Sequence, residues 1–395
     1  MIPEYRQQYN EKFTEEQYSR FIDDLYNEAG YQIGFRIAET PIFVPSKFKK
    51  ELIAGAEEIL NVVISDEYYR ISDRAIPSHL KVPNEDRVPR TIAIDFAVCK
   101  DNRGELLPQL IEAQAFPSLF CYQHWLAGKY RKHFWTPENT SHLFNGMDEE
   151  SYLRRLRQWI IGNEDPEHVV LLEIEPEKQK TRVDFELTKQ YLGINYICIS
   201  KVLREGRSLF YEKDGKKVPI RRIYNRVIFD EFVKRSDFKC QFNLTEDVDV
   251  SWAVHPNWFF RISKFSMPFI DSRYVPKTAF LNELKQIPAD LENYVLKPLF
   301  SFSGSGVIYD VKSEDIDRIS NPENYILQRK VFYAPVIKSP GGMVKAEIRL
   351  LFLWPDGEKR PLLCINLVRL SKGKMIGVDF NRDLDWVGGS VGFFE

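Results

Sequence analysis

The chain lacks an excess of charge of either sign: 55 Lys and Arg stand against 57 Asp and Glu, a formal net charge of −2 over 395 residues. Nucleic-acid binders carry a strong basic excess, so DNA and RNA are not expected partners, although a local basic pocket stays open. Cysteine is also scarce. The five residues Cys99, Cys121, Cys198, Cys240 and Cys364 lie far apart, form no Cys-x-x-Cys pair and sit mostly among apolar neighbours. They read as reduced core thiols, which excludes a disulfide framework and a thiolate zinc site. No apolar run approaches the roughly 18–20 residues a membrane span needs, and the polar start Met1-Ile-Pro-Glu-Tyr-Arg carries no secretory signal. A cytoplasmic protein without membrane partners is expected. No repeat and no low-complexity tract is found, and neither a serine or cysteine hydrolase nor a dinucleotide-binding protein is expected. Aromatic residues, by contrast, are plentiful at 14%, with 28 Phe and 19 Tyr, and predict aromatic-rich cores.

The length allows two or three domains, and three regions separate by pattern. In residues 1–165, a helix is predicted over 14–28 with Phe21 and Leu25 on one face. A second runs from Ser46, as N-cap, to about Ser65, with Leu52, Ile53, Ala56, Ile59 and Leu60 at helical spacing. Strands at 91–98 and 108–115 flank a turn at Lys100–Gly104, and a helix runs from Asp148 to about Gly162. Residues 166–265 alternate: the strand His168-Val-Val-Leu-Leu-Glu-Ile, a helix over 181–192, the strand Asn195-Tyr-Ile-Cys-Ile. That order predicts a small parallel α/β unit, followed by a hairpin at 203–218 turning at Lys213-Asp214-Gly215. Residues 266–395 open with a short helix at 277–287 and continue with strands at 294–300, 306–311, 325–333, 345–353 and 361–370.

Two stretches carry chemistry. In Tyr294-Val-Leu-Lys-Pro-Leu-Phe-Ser-Phe-Ser-Gly-Ser-Gly-Val-Ile308, an apolar strand delivers Lys297 to a turn with almost no side-chain bulk. Glycine lets backbone N–H groups approach a ligand closely, and successive N–H groups form an anion-binding concavity. The residues alone fit either a phosphate loop or an ordinary hairpin. In Thr91-Ile-Ala-Ile-Asp-Phe-Ala-Val, strand alternation places Asp95 among small residues. In Leu110-Ile-Glu-Ala-Gln-Ala, Glu112 and Gln114 share one face. If the strands pair, two carboxylates and an amide oxygen converge, a donor set suited to Mg²⁺. The solvated face of an antiparallel sheet is the other reading.

Taken in order, these features resemble the ATP-grasp superfamily: the acidic pair, Lys297 with its glycine hairpin, the Ile326-Leu-Gln-Arg-Lys-Val331 strand, then Glu347-Ile-Arg349. The acidic pair precedes the lysine, an order similar to the circularly permuted branch typified by eukaryotic glutathione synthetase. The resemblance covers residues 91–120 and roughly 270–395. It implies an α+β and α/β fold, an ATP-grasp in permuted order with an inserted small parallel α/β domain at 166–265. It also implies ATP and Mg²⁺ as cofactors. Lys297 and Lys277 would contact phosphates, though Lys277 also reads as a surface lysine opening the 277–287 helix. Ser301, Ser303, Gly304, Ser305 and Gly306 would form the phosphate loop, and Gln328, Arg329, Lys330 and Val331 the adenine hinge. Asp95, Glu112 and Gln114 would hold the metal. Arg349 would face the transferring phosphate and Arg369 the substrate; a structural ion pair with Glu347 is the other reading of Arg349. Two departures stand out: Gln114 replaces the usual Asn, and Ser301 replaces a loop glutamate, which argues against glutathione synthesis itself. The implied activity joins a small carboxylate to an amine through an acyl phosphate. A phosphotransferase and a nucleotide-binding protein without turnover are the alternatives.

Overall fold

The structure is a computed structural model and describes residues 1–229, 232, 235, 237–300, 306–373, 376, 381 and 384–395. Local signals fix several helices. The helix Glu15–Ala29 starts at a capping box, in which Thr14 and Gln17 satisfy each other's backbone N–H groups, and stops at Gly30 with φ 78°. Asp148 and Ser151 form the same device ahead of Glu149–Ile160. The helix Ser46–Val63 forms as expected, but Pro45 occupies the cap and Ser46 is already helical.

Among the described residues there are five sheets, of which two position the candidate site. The largest has the order Gly388–Ser390, Leu362–Ser371, Gly342–Leu353, Thr91–Lys100, Leu106–Gln114, with Ile337–Ser339 paired alongside. Its central contact is antiparallel and sets Asp95 opposite Arg349, residues 254 apart in sequence. A smaller antiparallel sheet places Tyr325–Arg329 between Thr278–Phe280 and Tyr294–Pro298. Its alternating residues face two ways. Leu296 and Leu327 cover a satellite core with Leu281, Leu291 and Val311, while Phe280 and Ile326 join the main core. A third is the parallel sheet Ser251–Trp252, Arg222–Asn225, Val169–Glu173, Asn195–Cys198, with the helix Arg182–Leu192 between its last two strands in sequence.

Two expectations need correction. Residues 277–287 are not a helix: Thr278–Phe280 is an edge strand, followed by a single 3₁₀ turn at Leu281–Glu283. The sheet edge offered by Tyr325–Arg329 captures this segment, since Thr278 pairs with Gln328 and Phe280 with Ile326. The 306–311 strand reduces to one bridge, Ile308 with Leu296. The helix Phe120–His133 has no counterpart in the predicted elements. The cores are aromatic-rich as expected; Phe21, for example, packs on Tyr130 and Phe134 at centroid distances of 4.8 and 5.2 Å. All five cysteines are free thiols. Burial pushes the Cys99 thiol up to about 12, so it is inert at neutral pH. No helix among the described residues is long and apolar enough to cross a membrane.

Candidate functional site

The large sheet and the three-stranded sheet meet at Lys297. Strand alternation turns Leu296 into the satellite core and Lys297 the other way, toward the acidic strand, where its Nζ donates to the Ile111 carbonyl at 3.2 Å. That carbonyl is available because the ladder slips there. Asp95 pairs with Glu112 but Phe96 pairs with Leu110, so Ile111 is the extra residue of a β-bulge. Lys297 is 9% exposed. Burial, helped by the nearby Lys264 charge, pushes its ammonium down to about 8.

Around it the charged side chains are paired. Arg349 grips Asp95 in a two-pronged contact, Nε to Oδ1 at 2.6 Å and Nη2 to Oδ2 at 2.7 Å. Arg369 adds a third contact to the same carboxylate, Nη2 to Oδ2 at 2.7 Å, and also pairs with Glu347. Tyr333 donates to Glu347 Oε2 at 2.6 Å, and Lys264 lies 3.3 Å from Glu112 Oε2. Asp95 is 1% exposed, so its face is no solvated sheet surface. Burial alone would push its carboxyl up; Arg349 and then Arg369 outweigh that and hold it below the ordinary range. At Glu347 burial wins over Arg369 and raises the carboxyl. Four cations thus meet three carboxylates, one of which is pushed toward neutrality. The cluster favours an incoming anion over a lone divalent cation.

The expected site residues fall as follows. Asp95, Glu112, Lys297, Arg349 and Arg369 come together. Arg349 pairs with Asp95, not with Glu347, because register sets it opposite Asp95 and sets Glu347 opposite Arg369. Gln114 lines a small cleft with Glu112, Lys264 and Phe300. As magnesium ligands, Glu112 and Gln114 fit by their hard oxygens and their shared cleft. Asp95 does not fit, since both its oxygens are occupied by guanidinium groups. Among the described residues no group of three or more His, Cys, Asp or Glu side chains gathers for a metal.

Lys277 is exposed beside the hinge, its carbonyl accepting from Arg329 N at 2.9 Å. In the hinge itself the amides of Arg329 and Lys330 are engaged by Lys277 and Asn293 carbonyls. Gln328 is buried, Arg329 pairs with Asp290 and Lys330 with Asp310. Val331 lies two residues past the end of that strand. Gly306 adopts φ 71°, whereas Ser301, Ser303, Gly304 and Ser305 lie outside the described residues. Sequence reasoning missed Lys264, Glu347 as the Arg369 partner, and Tyr333. No motif marks them; only the tertiary pairing does. Residues 388–392 do spell Gly-x-Ser-x-Gly, the pattern of a hydrolase elbow. Ser390, however, is fully buried at a strand end and its Oγ donates to the Thr40 carbonyl at 2.6 Å, so it is no nucleophile.

No known family profile matches this sequence, and no curated protein matches it. Among solved structures, a glutathione synthetase-like effector (GSS30) from Globodera pallida, in apo form, is similar over 96% of this chain and 96% of its own, with a TM-score of 0.59 and 10% identity. At that identity the likeness is one of fold alone: the chain has a mixed α/β, glutathione synthetase-like architecture.

Proposed function

We propose that the chain is an ATP-dependent ligase that joins a small carboxylate to an amine. The observation that carries the proposal is the surplus of positive charge around Lys297, a desolvated lysine lodged where the two sheets meet. Such a site receives a polyphosphate readily and a neutral ligand poorly. In the proposed reaction the carboxylate oxygen attacks the γ-phosphorus of ATP and ADP leaves. The amine nitrogen then attacks the acyl carbon, phosphate leaves, and the nitrogen loses its proton to solvent. Lys297 offsets charge on the phosphates, with Lys277 at the rim and Gln328–Val331 along the adenine edge. Glu112 and Gln114 would hold magnesium, which supplies charge neutralisation at the phosphates. Arg349 and Arg369 act through Asp95: the carboxylate fixes both guanidinium groups and so orients their remaining N–H groups.

The same pairing favours a second reading, nucleotide binding without turnover, because Asp95 occupies the two arginines expected to face the transferring phosphate. Incubation with Mg-ATP and pooled carboxylates and amines, followed by mass spectrometry, separates them. ADP together with a new amide is the expected result. Tight ATP binding with no ADP favours the second reading, and no ATP binding at all sinks both.

A further inference from the structure

Lys264, which no motif marks, occupies the carboxylate that fits magnesium. Its Nζ lies 3.3 Å from Glu112 Oε2, and its side chain is 7% exposed against 26% for Glu112. The lysine is therefore sunk more deeply than the carboxylate it holds.

The contact is built into the backbone. The segment 262–274 is tied to the acidic strand on both sides of Glu112. Ala115 N donates to the Ile262 carbonyl at 3.1 Å, and Leu110 N donates to the Tyr274 carbonyl at 2.7 Å. Ser263 caps the 3₁₀ turn Lys264–Phe269, its Oγ accepting from Phe265 N at 3.2 Å. Phe265 and Phe269 then pack on Phe280, with ring centroids 5.2 and 5.6 Å away. Anchored chain on either side thus delivers Lys264 to Glu112, unlike a surface lysine that meets a carboxylate by chance. Lys297 arrives from the other sheet at the adjacent residue, through the Ile111 carbonyl.

A divalent cation arriving alone has to displace Lys264 from Glu112 or sit beside its like charge. A polyphosphate arriving at Lys297 instead offers the Lys264 ammonium several anionic oxygens. That exchange releases Glu112 to a metal which the phosphates also bind.

We propose that Lys264 is an internal counter-ion that occupies Glu112 until nucleotide arrives, so that the site refuses divalent metal alone and takes metal and nucleotide cooperatively. This role rests on the nucleotide reading above, in which Glu112 and Gln114 hold magnesium. Metal then raises nucleotide affinity by the same factor by which nucleotide raises metal affinity, and Lys264 sets that factor.

The test uses the full chain with two probes: Mn²⁺, an oxygen-seeking stand-in for magnesium read by electron paramagnetic resonance, and metal-free β,γ-methylene-ATP read by calorimetry. Lys264→Met keeps the reach of the side chain and removes its charge. Without nucleotide it should bind Mn²⁺ at least roughly tenfold tighter than the wild type does. It should bind metal-free nucleotide at least roughly tenfold more weakly. Opposite changes for the two ligands are the signature, because a mere loss of packing weakens both. Lys264→Arg, which keeps the cation, should bind Mn²⁺ as weakly as the wild type. Adding Glu112→Gln to Lys264→Met should abolish the Mn²⁺ gain. Mn²⁺ affinity unchanged or lowered in Lys264→Met, nucleotide affinity not lowered, or a Mn²⁺ gain that survives Glu112→Gln overturns the assignment. If Lys264→Met does not fold, Lys264→Gln is read in the same way. A wild type that binds Mn²⁺ equally well with and without nucleotide overturns the assignment without any variant. Nucleotide binding without the Mn²⁺ gain removes the role of Lys264 and leaves the nucleotide reading standing. A wild type that binds no nucleotide, with or without metal, removes that reading and the release step with it, while the Mn²⁺ comparison still decides the hold on Glu112.

Discussion

Lys297 sheds its proton earlier in the fold than in the unfolded chain, because burial and Lys264 hold it at about 8. Between about pH 8 and the ordinary lysine range the unfolded chain therefore binds more protons, and stability rises with pH across that window. Below it, the charged and buried ammonium is a standing cost that a bound anion relieves. ATP binding above pH 8 should accordingly take up a proton, and affinity should fall as pH rises further. Calorimetry at pH 8.5 in buffers of different ionisation enthalpy measures this. Lys297→Met should bind ATP about 1.5–3 kcal/mol more weakly and with no proton uptake at that pH; unchanged affinity in a folded variant refutes the phosphate role. The carboxylates divide by a different contrast. Asp95→Asn breaks a three-contact ion pair whose carboxylate is buried and whose arginines are partly exposed, and should destabilise the fold by about 2–4 kcal/mol. Glu112→Gln, whose residue is partly exposed, should leave urea unfolding nearly unchanged and weaken the Mg²⁺ dependence of nucleotide binding. The opposite pattern would make Asp95 the metal ligand.

At the scale of elements, the helices that announce themselves do so by their ends and by one apolar stripe. Thr14 with Gln17 and Asp148 with Ser151 are local devices that need no partner segment. The helix Phe120–His133 is different: ten of its fourteen residues are buried, so its composition shows no polar face for periodicity to reveal. Its start is fixed from 65 residues away by Asp184, whose carboxylate accepts from the amides of Leu119 and Tyr122. Asp184→Ala removes both amide acceptances and should cost on the order of 2 kcal/mol, read by urea unfolding. Loss of stability no greater than at an exposed aspartate would show that the helix start is held by packing alone. The segment 277–287 illustrates the converse, since a sheet edge overrides its helical spacing.

Over the whole molecule, the site exists only because the acidic hairpin inserts beside Gly342–Leu353 and the Lys297 strand comes to rest on its bulge. Nucleotide binding should therefore report on global stability. A ligand at about 100 times its dissociation constant adds about 2.7 kcal/mol, so Mg²⁺ with β,γ-methylene-ATP should raise the melting temperature of the wild type by several degrees. At the same ligand concentration the gain should be much smaller in Lys297→Met. An equal gain in both would place nucleotide binding elsewhere.

What the sequence determined by itself is what short-range physics encodes: capped helices, the alternating strands 91–98 and 108–115, the parallel unit at 169–198, and a lysine delivered by an apolar strand to a small-residue turn. Strand alternation put Asp95 and Glu112 on one face on the condition that the two strands pair, as they do. What only the tertiary structure decided is how those groups are spent. The Ile111 bulge that receives Lys297 arises from a slip in register between two strands. The capture of Asp95 by Arg349 and Arg369 follows from pairing across 254 and 274 residues. No local signal carries such information, because a side chain's charge partner is set by which strands lie side by side, and that is chosen by the burial of the sheet as a whole.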